Sequence, residues 1–461
     1  MRTVFLVLLL ASAALYVGAQ LTLTSREKPG VVQLRWATDK NPARTRQTAA
    51  FGEMFPGAEV VVDPADSQKL LVQCVSGWGP DIIDCYGIAH MQSLVEAGIL
   101  LDLTEPAKEH GFAPEATYPA IEECLLVEGR QYRFPCNVWA NCVIYNRRML
   151  EDLGVPLPQE GWTYEDLVRI GKRIREASNG NLVPVANWNN VWLFEDMYIG
   201  AGGTYYRPGS HGLVSSFDSP EALAVMRFYH DMMHVHDVLP TPTEATAIAS
   251  AGGWGSGGLT WFSGKKAVMI FIGRWYIVQL PNYRGLADDL AVARLPSWRG
   301  RASRGQCDAR AAGINAKGPH RDAAVKFLKY LASKEYGRII VADGDSLPPN
   351  PELARTGENL VNDIVNDPAF HRPFVDAIRD ARPVDTSPFI DAGLTNRWLK
   401  ERIEQVENRK KTPEEAMRSL ASEINLQIRA NLEDRLDLQR KYESITGKPY
   451  TPDWWRREAP R

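Results

Sequence analysis

The sequence lacks an excess of charge of either sign. Its 461 residues include 53 lysines and arginines and 56 aspartates and glutamates, so the formal net charge is −3, and the two signs are interspersed. A nucleic-acid-binding surface needs a concentrated basic footprint, so nucleic acid is not expected as a partner. Hydrophobic residues make up 44% of the chain, which is enough for a large core, and the length predicts two or three domains.

Long hydrophobic runs are absent beyond the first two dozen residues, which excludes a channel or permease. The chain starts with Met1-Arg2, is apolar from Val4 to Gly18, and offers small residues for a peptidase at Val17-Gly18-Ala19. Residues 1–24 are therefore predicted to be either a signal peptide that is removed or an N-terminal membrane anchor of about 20 residues. Both alternatives place the rest of the chain outside the cytoplasm, in the periplasm or at the cell surface.

The sequence also lacks paired cysteine motifs. Its six cysteines include no C-x-x-C pair, so the spacing of a zinc site is missing. Cys136 and Cys142 lie in a segment that is typical of extended chain, which would separate them by ~20 Å, too far for a mutual disulfide. We expect buried free cysteines, while bridges involving other partners stay open in an oxidising compartment. The six are Cys74, Cys85, Cys124, Cys136, Cys142 and Cys307.

Motifs for catalysis are absent as well. The sequence has no nucleophile elbow, phosphate-binding loop, dinucleotide-binding glycine motif or H-E-x-x-H pair. The segment from His230 to Asp237 could place His230 and His234 on one helix face, but we expect a solvated helix end there and no metal site. No cofactor, metal or catalytic residue is therefore predicted, although the abundant carboxylates leave a glycosidase-type acid pair open.

Short β-type runs alternate with helical patterns after the N-terminal segment. This alternation predicts βαβ units around a mostly parallel sheet. The first units comprise strands at 31–36, 58–63 and 81–86 and helices at 45–55 and 89–97.

Three later helices are predicted from their N-terminal signals. Thr163 and Asp166 resemble a capping box, Pro319 opens a helix, and Thr412-Pro413 begins another. Apolar residues from Met417 to Leu436 then repeat at spacings of three and four, which predicts one long amphipathic helix.

The chain is rich in tryptophan, with 13 residues, and many lie beside amides or glycines. Flat rings next to amides and guanidinium groups suit sugars, whose C–H faces stack while their hydroxyl groups need paired donors and acceptors. Core packing is the alternative for each ring alone, and a flexible loop with an incidental ring is the alternative for Trp254. The rings in this pattern are Trp139 beside Asn137 and Asn141, Trp188 and Trp192 around Asn189 and Asn190, Trp254 in the glycine-rich stretch 250–258, and Trp275 after Gly273-Arg274.

Several segments, taken in order, resemble the family 1 extracellular solute-binding proteins, the maltose-binding-protein-like group. Together they cover about residues 30–430, and one of them, Phe262–Met269 with Gly273–Trp275, resembles the pattern F-x-x-G-K-A-A-M…G-x-W of that family. The segments are Gly79–Ile83 with Ala97–Leu103, Cys142–Leu150 with Gly154–Pro156 and Trp162–Leu167, Phe262–Met269 with Gly273–Trp275, Ala312–Asn315 with Ala323–Leu328, and Pro413–Met417.

The resemblance implies an α/β fold with two lobes, each a mostly parallel sheet flanked by helices, and a hinge between them. Lobe 1 would comprise residues 30–140 and 308–342, lobe 2 residues 141–307 and 343–430, and residues 431–461 would form a C-terminal extension. The implied function is that of an ABC importer's binding component, a monomer that captures a sugar or oligosaccharide between the lobes and delivers it to a permease. On this interpretation the chain is not an enzyme. A carbohydrate-active enzyme and a membrane-tethered sugar receptor of the same fold are the alternatives.

The resemblance also implies ligand-binding residues. Trp275 matches the family's sugar-stacking tryptophan, with Arg274 beside it, and Asn190 and Trp192 fall where the family has a polar contact and an aromatic ring. The other expected contacts are Trp139 on the crossing strand, Asp84 and Tyr86 after the early strand, Asp39 after the first strand, Trp398 as a last aromatic ring, and Trp254 from the glycine-rich stretch.

Overall fold

The computed structural model describes residues 30–64, 67–247 and 257–458. The predicted signal peptide or anchor at residues 1–24 and the predicted loop tryptophan Trp254 lie outside these described residues. Among the helices that are described, none has the length and apolarity needed to cross a bilayer.

The described residues form eleven strands, and most of them are buried and rich in β-branched residues, as the patterns around residues 31, 58 and 81 predict. The strands are β1 Val32–Ala37, β2 Ala58–Val62, β3 Ile82–Tyr86, β4 Leu126–Val127, β5 Arg130–Gln131, β6 Phe134–Ala140, β7 Cys142–Asn146, β8 Val183–Ala186, β9 Ala267–Ile272, β10 Leu290–Ala293 and β11 Cys307–Ile314.

Eighteen α-helices lie within the described ranges, together with short 3₁₀ turns, including one at Arg274–Asn282 that carries Trp275. The helices are α1 Ala43–Met54, α2 Ser67–Val75, α3 Ile88–Glu96, α4 Thr104–His110, α5 Arg147–Asp152, α6 Tyr164–Ala177, α7 Asn190–Gly200, α8 Pro220–His234, α9 Pro242–Ala247, α10 Gly258–Ser263, α11 Leu286–Asp289, α12 Arg321–Leu331, α13 Lys334–Asp343, α14 Pro368–Asp380, α15 Ala392–Glu407, α16 Pro413–Asp434, α17 Leu436–Thr446 and α18 Trp454–Glu458.

Two sheets organise the molecule, which confirms the predicted two-lobed α/β fold. The first has the strand order β2-β1-β3-β11-β6 and the second the order β10-β7-β9-β8, while β4 and β5 form a separate hairpin. The chain passes from the first sheet to the second at Asn141, between β6 and β7, and returns between β10 and β11. The lobe boundaries predicted from the sequence stay a proposal.

The sheets are mixed, which corrects the prediction that each is mostly parallel. β2, β1 and β3 pair in parallel, as do β8 and β9, whereas β11 pairs antiparallel with β3 and β6, and β7 pairs antiparallel with β9 and β10. Two parallel neighbouring strands must be joined by a crossover connection, usually a helix, within the same sheet. The strands β6, β7, β10 and β11 flank the crossings between the two sheets. Among the described elements, no such crossover joins them to their neighbours, so they can pair antiparallel.

The predicted helix starts are partly confirmed. Capping boxes close at Thr163 with Asp166 and at Thr412 with Glu415. The helix expected to open at Pro319 begins at Arg321, because His320 occupies the N-cap position. The helix expected to continue through Leu436 ends at Asp434, since Arg435 adopts an extended conformation with φ −121° and ψ 106°.

The C-terminal extension packs against the core that surrounds the second sheet. Its Leu438, Tyr442 and Trp454 are buried, and the ring centroids of Tyr442 and Trp454 lie 5.7 Å apart. The break at Arg435 lets α17 turn this apolar face inward. In addition, Lys441 forms an ion pair with Glu128 in the turn between β4 and β5, so the extension also contacts this hairpin.

All six cysteines are buried and free, which confirms the prediction of structural thiols. Cys136 lies on β6 of the first sheet and Cys142 on β7 of the second, so the crossing of the chain separates them. Burial raises the pKa of Cys85 to about 12, which leaves this thiol protonated and unreactive at neutral pH.

We expect that Trp454→Ala lowers the free energy of unfolding by about 3–5 kcal/mol, because it removes a large buried ring that packs against Tyr442 of α17. Urea denaturation followed by circular dichroism measures this change. Trp78→Ala is the matched control, since that ring is 68% exposed, and its effect should stay within ~0.5 kcal/mol. Equal effects of the two substitutions would contradict the packing of the extension.

Candidate functional site

Neighbouring strands of the first sheet direct a set of polar and aromatic side chains to one face. Arg310 of β11 lies opposite Tyr86 of β3 on one side and opposite Asn137 of β6 on the other. Trp139 follows Asn137 by two residues, so both side chains point to the same face of the pleated sheet. This face forms one wall of a cavity.

The cavity has a volume of about 540 Å³, and segments from both sheets line it. We call it the first cavity. Five of the residues predicted from the sequence meet here: Asp39, Tyr86, Trp139, Trp192 and Trp275. The sequence prediction missed Asn41, Arg44, Gly257, Leu259, Arg310 and Asp345 as lining residues, and it named Trp188 and Asn137 in the aromatic pattern without assigning them as contacts.

Four tryptophans form a continuous aromatic wall, which we call the tryptophan cluster: Trp139, Trp188, Trp192 and Trp275. Trp139 and Trp192 stack with ring centroids 4.3 Å apart and an interplanar angle of 16°. Trp188 packs edge-to-face against Trp192 at 5.2 Å and against Trp275 at 5.1 Å, and its indole N–H donates to the carbonyl oxygen of Phe271 at 3.1 Å. The sheet backbone thus fixes the central ring.

The ring of Trp275 lies so close to position 273 that only a glycine fits there. A Cβ atom at this position would lie 2.8 Å from Cδ1 of Trp275 and 3.5 Å from Cβ of Trp139. The first distance is too short for two carbon atoms, so a larger residue would displace the ring. The glycine therefore lets the indole of Trp275 lie flat against the end of β9.

Opposite the rings lies a charged floor, formed by Asp39, Arg44, Arg310 and Asp345, with Asp84 directly behind it. Arg44 donates to Asp39 at 2.9 Å and to Asp345 at 2.6 Å, and Arg310 donates to Asp84 at 2.7 Å. The guanidinium groups of Arg44 and Arg310 lie 5.9 and 5.5 Å from the ring centroid of Trp36. Each charge in the floor is therefore paired and held in place.

The ion pairs keep Asp345 ionised. Burial by itself would raise the pKa of Asp345, but Arg44 and Arg310 outweigh burial and hold this pKa below its usual value. Within the described part of the chain, Nε of Arg310 is buried and finds no hydrogen-bond acceptor, whereas its Nη2 lies 3.5 Å from Oδ2 of Asp345 in an ion pair. Arg310 therefore keeps one unused donor beside the first cavity.

Two predicted contacts lie behind the cavity wall. Asp84 accepts hydrogen bonds from Nε1 of Trp36 at 2.6 Å and from Thr38 at 2.5 Å, so it positions Arg310 and does not line the cavity. Arg274 is fully buried and donates to the carbonyl oxygens of Ser346 at 2.6 Å and Leu360 at 2.7 Å. Burial lowers the pKa of Arg274 to about 9. Arg274 therefore supports the loop that carries Asp345.

Two other predicted contacts, Asn190 and Trp398, lie to one side of the first cavity. Nδ2 of Asn190 donates to the Glu407 carboxylate at 3.3 Å, and this side of Asn190 faces a neighbouring cavity. Trp398 is half-buried and packs against the core around the second sheet. The structure therefore brings together five of the ten predicted contacts and places Asp84, Arg274, Asn190 and Trp398 elsewhere, with Trp254 outside the described residues.

Some of the missed residues left a signal in the sequence. Asn137 shares the strand face of Trp139, as the period of two requires, and Arg310 is one of two charged residues, with Asp308, in the mainly apolar stretch of β11. Arg44 and Asp345 left none, because they are 301 residues apart and meet only in the folded chain.

Asp196 lies between the two segments that connect the sheets. Its carboxylate accepts from Nδ2 of Asn141 at 2.9 Å and from the backbone N–H of Gln306 at 3.0 Å. Burial raises the pKa of Asp196 to about 7 and that of the neighbouring Glu195, which accepts from the hydroxyl group of Tyr205, to about 8. The crossing segments are thus joined through a carboxyl group that holds its proton unusually well.

We expect the free energy of unfolding to fall as the pH rises from about 4 to 8. The unfolded chain releases both protons near the ordinary carboxyl pKa of about 4. The folded chain keeps them up to about pH 7 at Asp196 and about pH 8 at Glu195, so the folded state is favoured on the acid side of this window. Glu195→Gln should flatten the profile, measured by urea denaturation at several pH values. Glu176→Gln, at an exposed site, is the control, and a profile unchanged by Glu195→Gln would be the contrary result.

Comparison with known proteins supplies a family. The family described as bacterial extracellular solute-binding protein matches residues 37–338 of the chain. The arabinooligosaccharide-binding protein of Halalkalibacterium halodurans is 22% identical over 216 residues, which is 45% of each chain. The diacetylchitobiose binding protein of Streptomyces coelicolor is 24% identical over 293 residues, 63% of this chain and 64% of that protein. Each match therefore spans less than two-thirds of the relative's length.

The fold extends further than the sequence similarity. An ABC substrate-binding protein from Listeria monocytogenes, solved in complex with cycloalternan, superposes with a TM-score of 0.73 at 18% identity. The superposition covers 86% of this chain and 98% of that chain. The two proteins share the two-lobed architecture.

Proposed function

The chain belongs to the bacterial extracellular solute-binding protein family, and from this premise we propose that it captures a sugar or oligosaccharide between its lobes and delivers it to the permease of an ABC importer. The proposal places the chain outside the cytoplasm, as a monomer that binds its ligand without converting it. Two relatives named for binding oligosaccharides support the substrate class.

The observation that carries the proposal is the pairing of the tryptophan cluster with the charged floor in one cavity. A pyranose ring has apolar C–H faces, which suit the indole rings, and a rim of hydroxyl groups, which need donors and acceptors. The floor offers both kinds of group in fixed positions, so it can bind hydroxyl groups without first reorganising.

We assign the contacts as follows. Trp275, Trp192 and Trp139 stack on the sugar, and Asp39 and Tyr86 bind hydroxyl groups, together with the newly found Asn137, Arg44 and Arg310. Asp84 acts indirectly, because it holds Arg310 in place.

Closure of the two lobes around the ligand would complete the capture. Walls from both sheets line the first cavity, and the chain links the sheets through Asn141 and through the segment 294–306 between β10 and β11. A ligand that contacts both walls stabilises the closed arrangement over the open one, and a permease that recognises only the closed form then receives loaded protein.

The enzyme alternative has less support. A glycosidase needs a carboxylic acid whose raised pKa keeps a proton for the leaving group. Asp345 in the first cavity has a lowered pKa, because Arg44 and Arg310 pair with it, and so it is unsuited to donate a proton. Glu195 has a pKa raised to about 8, but it is buried, accepts from the hydroxyl group of Tyr205 and does not line the first cavity. The tethered-receptor alternative depends on residues 1–24, which lie outside the described residues.

We expect sugars to raise the melting temperature of the full chain in a thermal-shift screen, while amino acids and short peptides leave it unchanged. A ligand at 100 times its dissociation constant adds ~2.7 kcal/mol of stability.

Trp275→Ala should weaken binding of the sugar found by about 10-fold or more in calorimetric titration, because stacking is lost. Trp78→Ala, outside the cavity, is the control. Equal affinity of the parent and Trp275→Ala would contradict the assignment.

Gly273→Ala tests the position of the ring, as distinct from its presence. The added Cβ atom would push against Trp275, so we expect weaker sugar binding with the indole retained. Gly52→Ala in α1 is a matched control, because the nearest atom to its new Cβ lies 3.9 Å away. Calorimetric titration of both variants measures the difference, and unchanged affinity of Gly273→Ala would show that the ring tolerates displacement.

A further inference from the structure

A second cavity of about 620 Å³ adjoins the first, and Trp188 and Trp192 line both. The remaining walls come from the segment before α7, from Pro240 and Pro242, and from α15. Each of the two cavities has the size of a typical small-molecule site, about 300–1,000 Å³. A ligand that extends past Trp192 can therefore occupy both.

The wall of the second cavity is held rigid by a buried chain of hydrogen bonds. Nδ2 of Asn187 donates to the hydroxyl oxygen of Tyr229 at 2.9 Å, and the Tyr229 hydroxyl group donates to the Glu407 carboxylate. Nδ2 of Asn190 donates to the same carboxylate at 3.3 Å. Tyr229 is fully buried, so this network fixes the orientation of both amide groups.

Polar groups remain unused on this wall. Within the described ranges, Oδ1 of Asn187 is buried without a hydrogen-bond donor. Arg397 is exposed, and the ammonium group of Lys400 forms a long ion pair with Glu404 at 3.9 Å. Arg397 and Lys400 lie three residues apart on α15, so they lie on one face of that helix, and both border the cavity. An acceptor and two donors beside an aromatic edge are the groups that a sugar unit with several hydroxyl groups requires.

We propose that the ligand is an oligosaccharide whose chain passes the edge of Trp192, with one end in the first cavity and a further sugar unit in the second. The inference rests on the proposed function and extends it, because it makes chain length the property that the protein selects. A monosaccharide would fill only one of the cavities and would forgo the contacts with Asn187, Arg397 and Lys400.

Calorimetric titration of the full chain with three ladders of sugars tests this inference. The ladders run from glucose to maltotetraose, from N-acetylglucosamine to its β-1,4-linked tetramer, and from arabinose to arabinotetraose. In the ladder that binds, we expect affinity to rise at least 10-fold from the shortest sugar bound to the longest.

Variants separate the two cavities. Arg397→Gln should weaken binding of the longest sugar by about 10-fold and leave the shortest unchanged, and Lys400→Gln serves as a second variant. Trp275→Ala should weaken every length. Arg418→Gln, an exposed arginine on α16, is the matched control and should change nothing. Unchanged binding of the shortest sugar also shows that the Arg397→Gln chain is folded.

The outcomes distinguish this inference from the proposed function. Affinity that does not grow with chain length, or an Arg397→Gln effect that is absent or equal at every length, overturns the second cavity as a sugar site while capture in the first cavity stands. Failure of all three ladders to bind, with a response to another class of solute, overturns the proposed function and this inference with it.

Discussion

Arg44 and Arg310 are 3% and 5% exposed, and three aspartates surround them beside the ring of Trp36. A buried charge is costly unless it is paired, and removal of one partner from such a pair costs about 3–5 kcal/mol. The folded chain must therefore bring α1, β3, β11 and the segment after α13 to one place, since these elements supply the charges. The cavity wall is a consequence of that requirement, and its polar groups are oriented before any ligand arrives.

The second wall depends on the crossing of the chain between its two sheets. Trp139 is the penultimate residue of β6, just before the chain crosses to the second sheet. After the crossing, the segments around that sheet supply Trp188, Trp192 and Trp275. Stacking of Trp139 on Trp192 joins the two groups, while Asp196 binds both crossing segments. The aromatic contact and the connection between the lobes thus lie side by side. Movement of one lobe relative to the other would change the shape of the cavity directly.

Much of the fold could be predicted from the sequence because local rules act on contiguous residues. The strands near residues 31, 58 and 81 and the capping boxes at Thr163 and Thr412 follow from periodicity and from side-chain chemistry within a few positions. The direction of strand pairing could not be read in this way, because it depends on where the chain crosses between the sheets. The end of α16 was missed for a related reason: the apolar spacing continues through Leu436, but burial of Tyr442 and Trp454 requires a bend at Arg435.

The residues of the first cavity also fall into those that the sequence indicates and those that only the fold brings together. Tryptophans beside amides are visible in the sequence, and the resemblance to a family points to Trp275, so the aromatic side of the site was largely predictable. The charged floor was not, because Arg44 and Asp345 become neighbours only through the fold. Arg274 shows the converse error, since adjacency to Trp275 suggests a ligand contact whereas its guanidinium group binds backbone carbonyl oxygens.

A crystal structure of the chain with its bound sugar would show whether the ligand lies in the first cavity. We expect a sugar ring stacked on the tryptophan cluster, with hydroxyl groups in hydrogen-bond contact with Asp39, Arg44 or Arg310 and with both lobes touching the ligand. A sugar bound elsewhere on the surface, or held by one lobe with the charged floor untouched, would contradict this expectation.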